Sequence, residues 1–319
     1  MTSINSLGDL LSHSSIVKIL HAGDYDIRSL NRDYGFKFTN VFDTSIAAAF
    51  LGSERLGLDA ILKEYINVIV SKDKKLQRSD WTIRPLSDEA IEYAANDVLH
   101  LKRAKESITA KLKDLGRYYW VEEEFVRLSD IRFNPKNEQT AFLNVKGNSD
   151  LNGKELAILK HLYDFREDIA IGRDRPPFKI ISDSILVELA KDPYKDITKI
   201  FGIGSWSRTD KASQLKSVID QGINAPAIER PSQKKDKPKS LSNKEREVAN
   251  LRLRSLKEWR KKIGNSLKLD PSLLWPTVSL NRLSRFPDLL EQELDQPEVR
   301  KWQINEFYDP INIHLKQLD

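Results

Sequence analysis

The 319-residue chain contains no cysteine. Disulfides, zinc–thiolate sites and thiol nucleophiles are therefore excluded, and the composition fits a cytoplasmic protein. No apolar run approaches the roughly 20 residues of a membrane-spanning helix. The opening stretch, Met1 to Asp9, lacks the basic start and apolar core of a signal peptide. With thiolates gone, a metal ion would have to be held by carboxylates or by the five histidines. Carboxylates favour hard ions such as Mg²⁺ or Mn²⁺. Charged residues are 31% and the hydrophobic set 39%, which describes a polar chain with no membrane role. The net charge of +5 leans mildly towards a polyanionic partner.

Residues 1–125 alternate strand-like and helical signals, the mark of an α/β domain. Ser15 to Leu20 is a short apolar run read as a strand. Asp24 to Tyr34 reads as a helix closed by Gly35, and Lys37 to Phe42 alternates like a second strand. Asp43-Thr44 is read as the cap of a helix over Ser45–Leu51. Leu58–Tyr65 and Ser87–Leu115 are expected to be helical, with a cap near Ser87. From about residue 150 the signals are helical only. There Leu162, Phe165, Arg166, Ile169, Ile180, Ile181, Leu186, Leu189 and Pro193 recur 94 residues later as Leu256, Trp259, Arg260, Ile263, Leu274, Trp275, Leu280, Leu283 and Pro287. A gapless match of this kind predicts two small helical domains of one architecture, each with its own core. Between them, Pro231 to Lys244 is poor in apolar residues and rich in Lys and Pro, the composition of a linker. The expected division is 1–125, 140–225, a basic linker 226–243, and 244–319.

Several residue groups could carry chemistry. Tyr93 and Asp97 stand four apart, so a helix places phenol and carboxylate on one face. Any amphipathic helix can carry that pattern; its value depends on its surroundings. His21-Ala22-Gly23-Asp24-Tyr25-Asp26 follows the first strand directly, at the ligand-facing edge of an α/β sheet. Asp24 is read as a helix cap; Asp26 could cap, lie in solvent or bind a metal. Lys74, Gln77, Trp81 and Arg84 fall in a loop-like stretch that suits phosphate contacts and base stacking, or equally a solvated loop pinned by the tryptophan. Arg166 and Arg260 read as domain-internal partners. Lys191 and the run Gly202 to Ser207, with Trp206, are candidates for backbone contact with nucleic acid, although a helix-stop glycine explains the run as well.

Taken together these residues resemble ribonuclease D, of the DEDD superfamily of 3′–5′ exonucleases. His21-Ala22-x-x-x-Asp26 is similar to that family's second acidic motif. Phe42-Asp43-Thr44-x-x-Ala47-Ala48 is similar to the strand and helix that follow. Lys74-x-x-Gln77-x-x-Asp80-Trp81-x-x-Arg84-Pro85-Leu86 leads to Tyr93-Ala94-Ala95-x-Asp97, which resembles the third motif in its tyrosine form. The helical half resembles the HRDC domain, in Leu143 to Gly147, Leu162-Tyr163-x-Phe165-Arg166 and Arg175 to Phe178. The fold class implied is α/β followed by all-α: a truncated ribonuclease-H-like exonuclease domain plus two HRDC-like helical domains.

The resemblance implies two divalent ions, Mg²⁺ or Mn²⁺, with Asp26 and Asp97 as ligands and Tyr93 orienting the attacking water. It implies nucleic-acid contacts at His21, Lys74, Gln77, Trp81, Arg84, Lys191 and Trp206, and as partner the single-stranded 3′ end of tRNA or another stable RNA. The family's first motif, an Asp-x-Glu on an earlier strand, has no counterpart before Asp26. We therefore expect a start codon placed too far downstream, with further strands encoded upstream, and little hydrolytic activity in the chain as given. The alternative is a catalytically dead nucleic-acid-binding or scaffold protein. DNA-directed relatives also carry HRDC domains, but a G-x-x-x-x-G-K-[ST] phosphate loop is missing, which argues against helicase activity.

Overall fold

The computed structural model describes residues 4–70, 73–135, 137, 139–231 and 241–318. Its backbone divides into two units: Met1–Phe133 with Lys239–Asp319, and Asn134–Pro238. Of the expected linker 226–243, residues 232–240 lie outside the described residues.

The first unit begins with helix α1 (Asn5–Ser12), strand β1 (Lys18–Leu20), helix α2 (Asp24–Tyr34) and strand β2 (Val41–Asp43). The strands are shorter than the sequence runs suggest. They pair in parallel, Lys18 opposite Val41 and Leu20 opposite Asp43, and are the two strands of the sheet among the described residues. A parallel pair needs a crossover, which α2 provides. Gly35 ends α2 at φ 69°, a left-handed conformation that costs glycine little. Asp24 is not the cap expected of it: Gly23 holds the N-cap position, and Asp24 lies one residue inside, paired with Arg28.

Six helices follow: α3 (Thr44–Ala49), α4 (Leu58–Ile66), α5 (Lys74–Gln77), α6 (Asp88–Leu99), α7 (Leu101–Asp114) and α8 (Tyr118–Ser129). The helix expected over 87–115 is two helices broken at His100. Ser87 caps α6 by accepting from the Ala90 amide, as its position suggests.

The second unit holds α9 (Gly153–Gly172), α10 (Asp183–Lys191) and α11 (Thr209–Asn224), around a core that includes Leu159, Leu162, Leu186, Leu215 and Trp206. The chain then re-enters the first unit with α12 (Asn243–Leu267), α13 (Pro271–Leu274), α14 (Thr277–Arg285), α15 (Leu290–Glu293) and α16 (Lys301–Lys316).

The repeat seen in the sequence has a structural counterpart. Helix α14 begins and ends 94 residues after α10. Arg166 Nη1 donates to the Ile181 carbonyl and to Asp183; Arg260 Nη1 donates to the Trp275 carbonyl and to Thr277, at the same offset. Both arginines are thus domain-internal braces, as expected.

The two copies differ in what they pack against. The first has its own core. The second does not. Leu256, Trp275, Trp302 and Phe307 form one cluster with Phe50, Ile61, Ile108 and Trp120. Trp120 stacks on Trp302 at 4.8 Å, and Phe50 meets Trp302 edge-on at 5.4 Å. Arg117, buried, donates to the carbonyls of Phe50 and Leu267. The expectation of two self-sufficient helical domains is therefore corrected for the second copy. Its helices are amphipathic, but their apolar faces find the exonuclease-like segment. Truncating Trp302 to alanine would cost about 3–5 kcal/mol on the usual scale for a buried tryptophan.

Candidate active site

The site grows from the carboxyl ends of β1 and β2, where an α/β sheet leaves a crevice. β1 runs directly into His21 and the turn 21–23; β2 ends in Asp43. Asp43 is fully buried, and its two oxygens accept five hydrogen bonds. Oδ1 takes the amides of Ala22 (3.2 Å), Ser45 (2.9 Å) and Ile46 (3.1 Å) and the Ser45 hydroxyl (2.6 Å). Oδ2 takes the Gly23 amide at 2.8 Å. One carboxylate therefore caps α3 and ties down the turn that leads to Asp26. That turn needs holding, because Ala22 sits at φ 56°, a left-handed backbone that non-glycine residues rarely adopt.

His21 Nδ1 lies 2.9 Å from Thr44 Oγ1, and Thr44 Oγ1 donates its single proton to the Leu20 carbonyl. Nδ1 is then the donor to Thr44, which fixes the ring against the end of β1.

Asp26 lies in the first turn of α2 and Asp97 in the last turns of α6; both reach solvent. The protein packed around them still withdraws enough water to hold both carboxyls above the ordinary carboxylate range. The nearby charge of Asp43 raises Asp26 further, and His21 works in the opposite direction on Asp97. Asp26 thus feels Asp43, and Asp97 feels His21. Tyr93, half-buried, lies one helical turn before Asp97, with its ring 6.0 Å from that of Trp81.

The remaining sequence candidates fall into two groups. Lys74 and Gln77 are exposed on α5, a four-residue helix capped by Asp73 where a loop was expected. Arg84 is exposed and donates to the carbonyls of Trp81 and Ile83. Lys191 is exposed at the end of α10. Trp206 is the exception. Its side chain is buried, its Nε1 donates to the Ile180 carbonyl at 3.0 Å, and Phe165 meets it edge-on at 5.4 Å. It is a core residue and unavailable to nucleic acid; the exposed aromatic in that segment is Phe201.

Two divalent ions need several anionic oxygens each. Asp26 and Asp97 offer solvent-facing carboxylates, whereas the oxygens of Asp43 are filled by N–H and O–H donors. Among the described residues no group of three His, Asp or Glu side chains is placed to hold an ion. The residues present therefore do not by themselves fit a two-ion centre. The sequence reading missed the part played by Asp43 in tying the turn, although its position before a helix revealed the cap.

Residues 1–113 match the family model described as 3′-5′ exonuclease, and residues 155–219 match the HRDC domain. A ribonuclease D of Zymomonas mobilis is 31% identical over 236 residues, covering 72% of this chain and 58% of that protein. One from a Shewanella species is 29% identical over 220 residues, covering 69% and 56%. The chain thus spans less than two thirds of either relative. Among solved structures, Escherichia coli RNase D superposes with TM-score 0.66 at 20% identity, covering 99% of this chain and 83% of its own. A protein from Bifidobacterium adolescentis gives 0.71 at 24%, covering 94% and 78%. At such identities the structural likeness carries the fold alone. No helix among the described residues is long and apolar enough to cross a membrane. Residues 1–113 are thus similar to 3′-5′ exonucleases and residues 155–219 to HRDC domains, and the chain as a whole is similar to part of ribonuclease D.

Proposed function

We propose that this chain works as a 3′–5′ exoribonuclease of the ribonuclease D type, on the single-stranded 3′ ends of tRNA or other stable RNA. The Escherichia coli protein of this fold is described as an exoribonuclease involved in structured RNA processing. The observation that carries the reading is the turn at the carboxyl end of the parallel pair, where Asp43 holds the Gly23 amide just before Asp26 and His21 meets Thr44. In this reading Asp26 and Asp97 are ligands for Mg²⁺ or Mn²⁺, Tyr93 aims the water, and exposed Lys74, Gln77, Arg84 and Lys191 contact the RNA backbone. Hydrolysis between two ions requires more carboxylates than these. Purified 1–319 would then bind RNA ends but cut them poorly.

The test is direct. A 3′-labelled single-stranded RNA is incubated with 1–319 and Mg²⁺ or Mn²⁺, and binding and digestion are measured separately. Binding that falls with salt, with trace Asp97-dependent digestion, is the expected result. Absence of binding at low salt would refute the reading. Robust digestion would refute the predicted weakness and keep the assignment. The second reading, a catalytically dead scaffold, draws on the shortage of ligands. It predicts that Asp97→Asn leaves any residual cleavage unchanged.

A further inference from the structure

The two helical copies share an architecture but not a charge. Helix α12 carries eight Lys and Arg against three Glu, a net of +5, which equals that of the whole chain. Its counterpart α9 carries three Lys and Arg against four Asp and Glu. At the offset of 94 residues, Lys261 and Lys262 stand where the first copy has Glu167 and Asp168. The shared architecture therefore tolerates acids at these positions, and the lysines answer some other requirement. Two of the α12 cations are used inside the fold: Arg252 donates to the Ser284 carbonyl and Arg260 to that of Trp275. Lys244, Arg246, Arg254, Lys257, Lys261 and Lys262 are exposed, and among the described residues none of the six has a hydrogen-bond or ion-pair partner.

Arg254, Lys257 and Lys261 share one face of the helix, at i, i+3 and i+7, with Lys262 beside them and Glu258 as the acid between. They cover about 10 Å of a rigid axis, the length that about three phosphates of one duplex strand occupy. Among the described residues of α12 no aromatic side chain is exposed to stack on a base; Trp259 is buried in the shared core. A strand with free bases would find charge here but no platform. A double helix, with its bases paired inward, presents mainly phosphates and sugar hydroxyls, and suits such a face better. A bilayer matches it poorly. Leu256 and Trp259 face the core, and among the described residues of α12 Val248 and Leu251 are the large apolar side chains left exposed. We propose that this face of α12 docks the phosphate backbone of a double-helical RNA stem, the body of the RNA whose single-stranded 3′ end is the substrate. The inference rests on the exoribonuclease reading above, and it gives the stem to the second copy rather than the first.

The test measures binding of 1–319, without divalent metal, to two fluorescent RNAs over a range of salt concentrations. One is a hairpin with a single-stranded 3′ tail; the other is the tail alone. The wild type should bind the hairpin more tightly and with a steeper salt dependence. In the triple variant Arg254→Gln, Lys257→Gln, Lys261→Gln the slope of log K against log salt for the hairpin should flatten by about 2–3, at about 0.9 per phosphate contact, and the affinity for the tail should not change. Lys261→Glu with Lys262→Asp, which copies the residue types of the first repeat, should also remove the hairpin's advantage and guards against misfolding of the first variant. Arg173→Gln, Lys199→Gln, Lys216→Gln removes the same charge from exposed positions of the second unit and should leave that advantage intact. An unchanged hairpin advantage in the first two variants, an equal loss in the third, or an equal loss for the tail would overturn the stem site. Hairpin binding that survives in both, with binding to phosphatidylserine vesicles lost instead, would give the face to a membrane. If the wild type binds neither RNA, the exoribonuclease reading falls with it; binding of the tail with no gain from the hairpin removes the stem site alone.

Discussion

Replacing Asp43 separates its two jobs. Asp43→Ala strips partners from four N–H or O–H groups on Oδ1 and one on Oδ2, in a place with no solvent access. Losing a helix cap costs about 1 kcal/mol. Stranding further buried donors costs about 1–3 kcal/mol for each that cannot find water. The turn would relax in part, since Ala22 would be free to leave its left-handed backbone. The net loss should be about 3–5 kcal/mol. Asp43→Asn is the informative control. With its oxygen placed as Oδ1 it keeps the cap and the Ala22 contact, and only the Gly23 amide faces an NH₂ group instead of an acceptor. That should cost about 1–2 kcal/mol. For a unit of this size each kcal/mol shifts Tm by about 2–4 °C. Urea and thermal unfolding, followed by tryptophan fluorescence, would give both values. If Asp43→Ala fell within about 1 kcal/mol of wild type, or if the asparagine cost as much as the alanine, the claim that this carboxylate organises the turn would be wrong.

Arg117→Ala should destabilise the first unit by about 2–4 kcal/mol, because it leaves the Phe50 and Leu267 carbonyls buried without a donor; chemical denaturation measures it, and a loss under about 0.5 kcal/mol would contradict the bracing role. Asp26 and Asp97 have folded pKa values above their unfolded ones, so the folded state gives up their protons less readily. The stability tied to their protonated forms is present below the unfolded value near 3.9 and is lost as pH rises through the folded value. Asp26→Asn and Asp97→Asn should therefore match wild type at low pH and equal or exceed it in Tm at pH 7; a lower Tm at pH 7 would reverse the sign. Fragment 134–238 should fold alone with a cooperative melt, whereas fragment 239–319 should not, since Trp302 and Phe307 pack on Trp120. Near-ultraviolet circular dichroism of both fragments decides it.

The parts of the fold legible in the sequence were those fixed by neighbours along the chain. Ser87 and Asp43 announce helix starts because their side chains reach amides two or three residues on. Arg166 and Arg260 could be read as braces because each repeats at one offset with its carbonyl partner. What failed depended on distant contacts. Periodicity shows that α12 and α16 have apolar faces but not that Phe50 and Trp120 cover them. Trp206 looked available beside two glycines, and only the fold reveals the Ile180 carbonyl and the Phe165 ring against it. Asp26 and Asp97 could be singled out because each lies at a fixed offset from local signals, the end of β1 and Tyr93 on the same helix.

The core shared by the two ends of the chain dictates an order of assembly. On a ribosome, Phe50, Ile108 and Trp120 emerge well before Leu256, Trp275 and Trp302, the side chains that complete their packing. At roughly 5–20 residues per second they would wait on the order of ten seconds or more with apolar surface uncovered. The unit 134–238 is complete in itself and can fold during that interval. Once folded, it replaces a long flexible loop with a compact spacer, which changes the entropy of bringing the two ends together. Arg117, 150 residues from its Leu267 partner, is among the last side chains to be satisfied. Truncation near the carboxyl terminus would thus be felt first in the amino-terminal segment, as aggregation during synthesis rather than as loss of a tail.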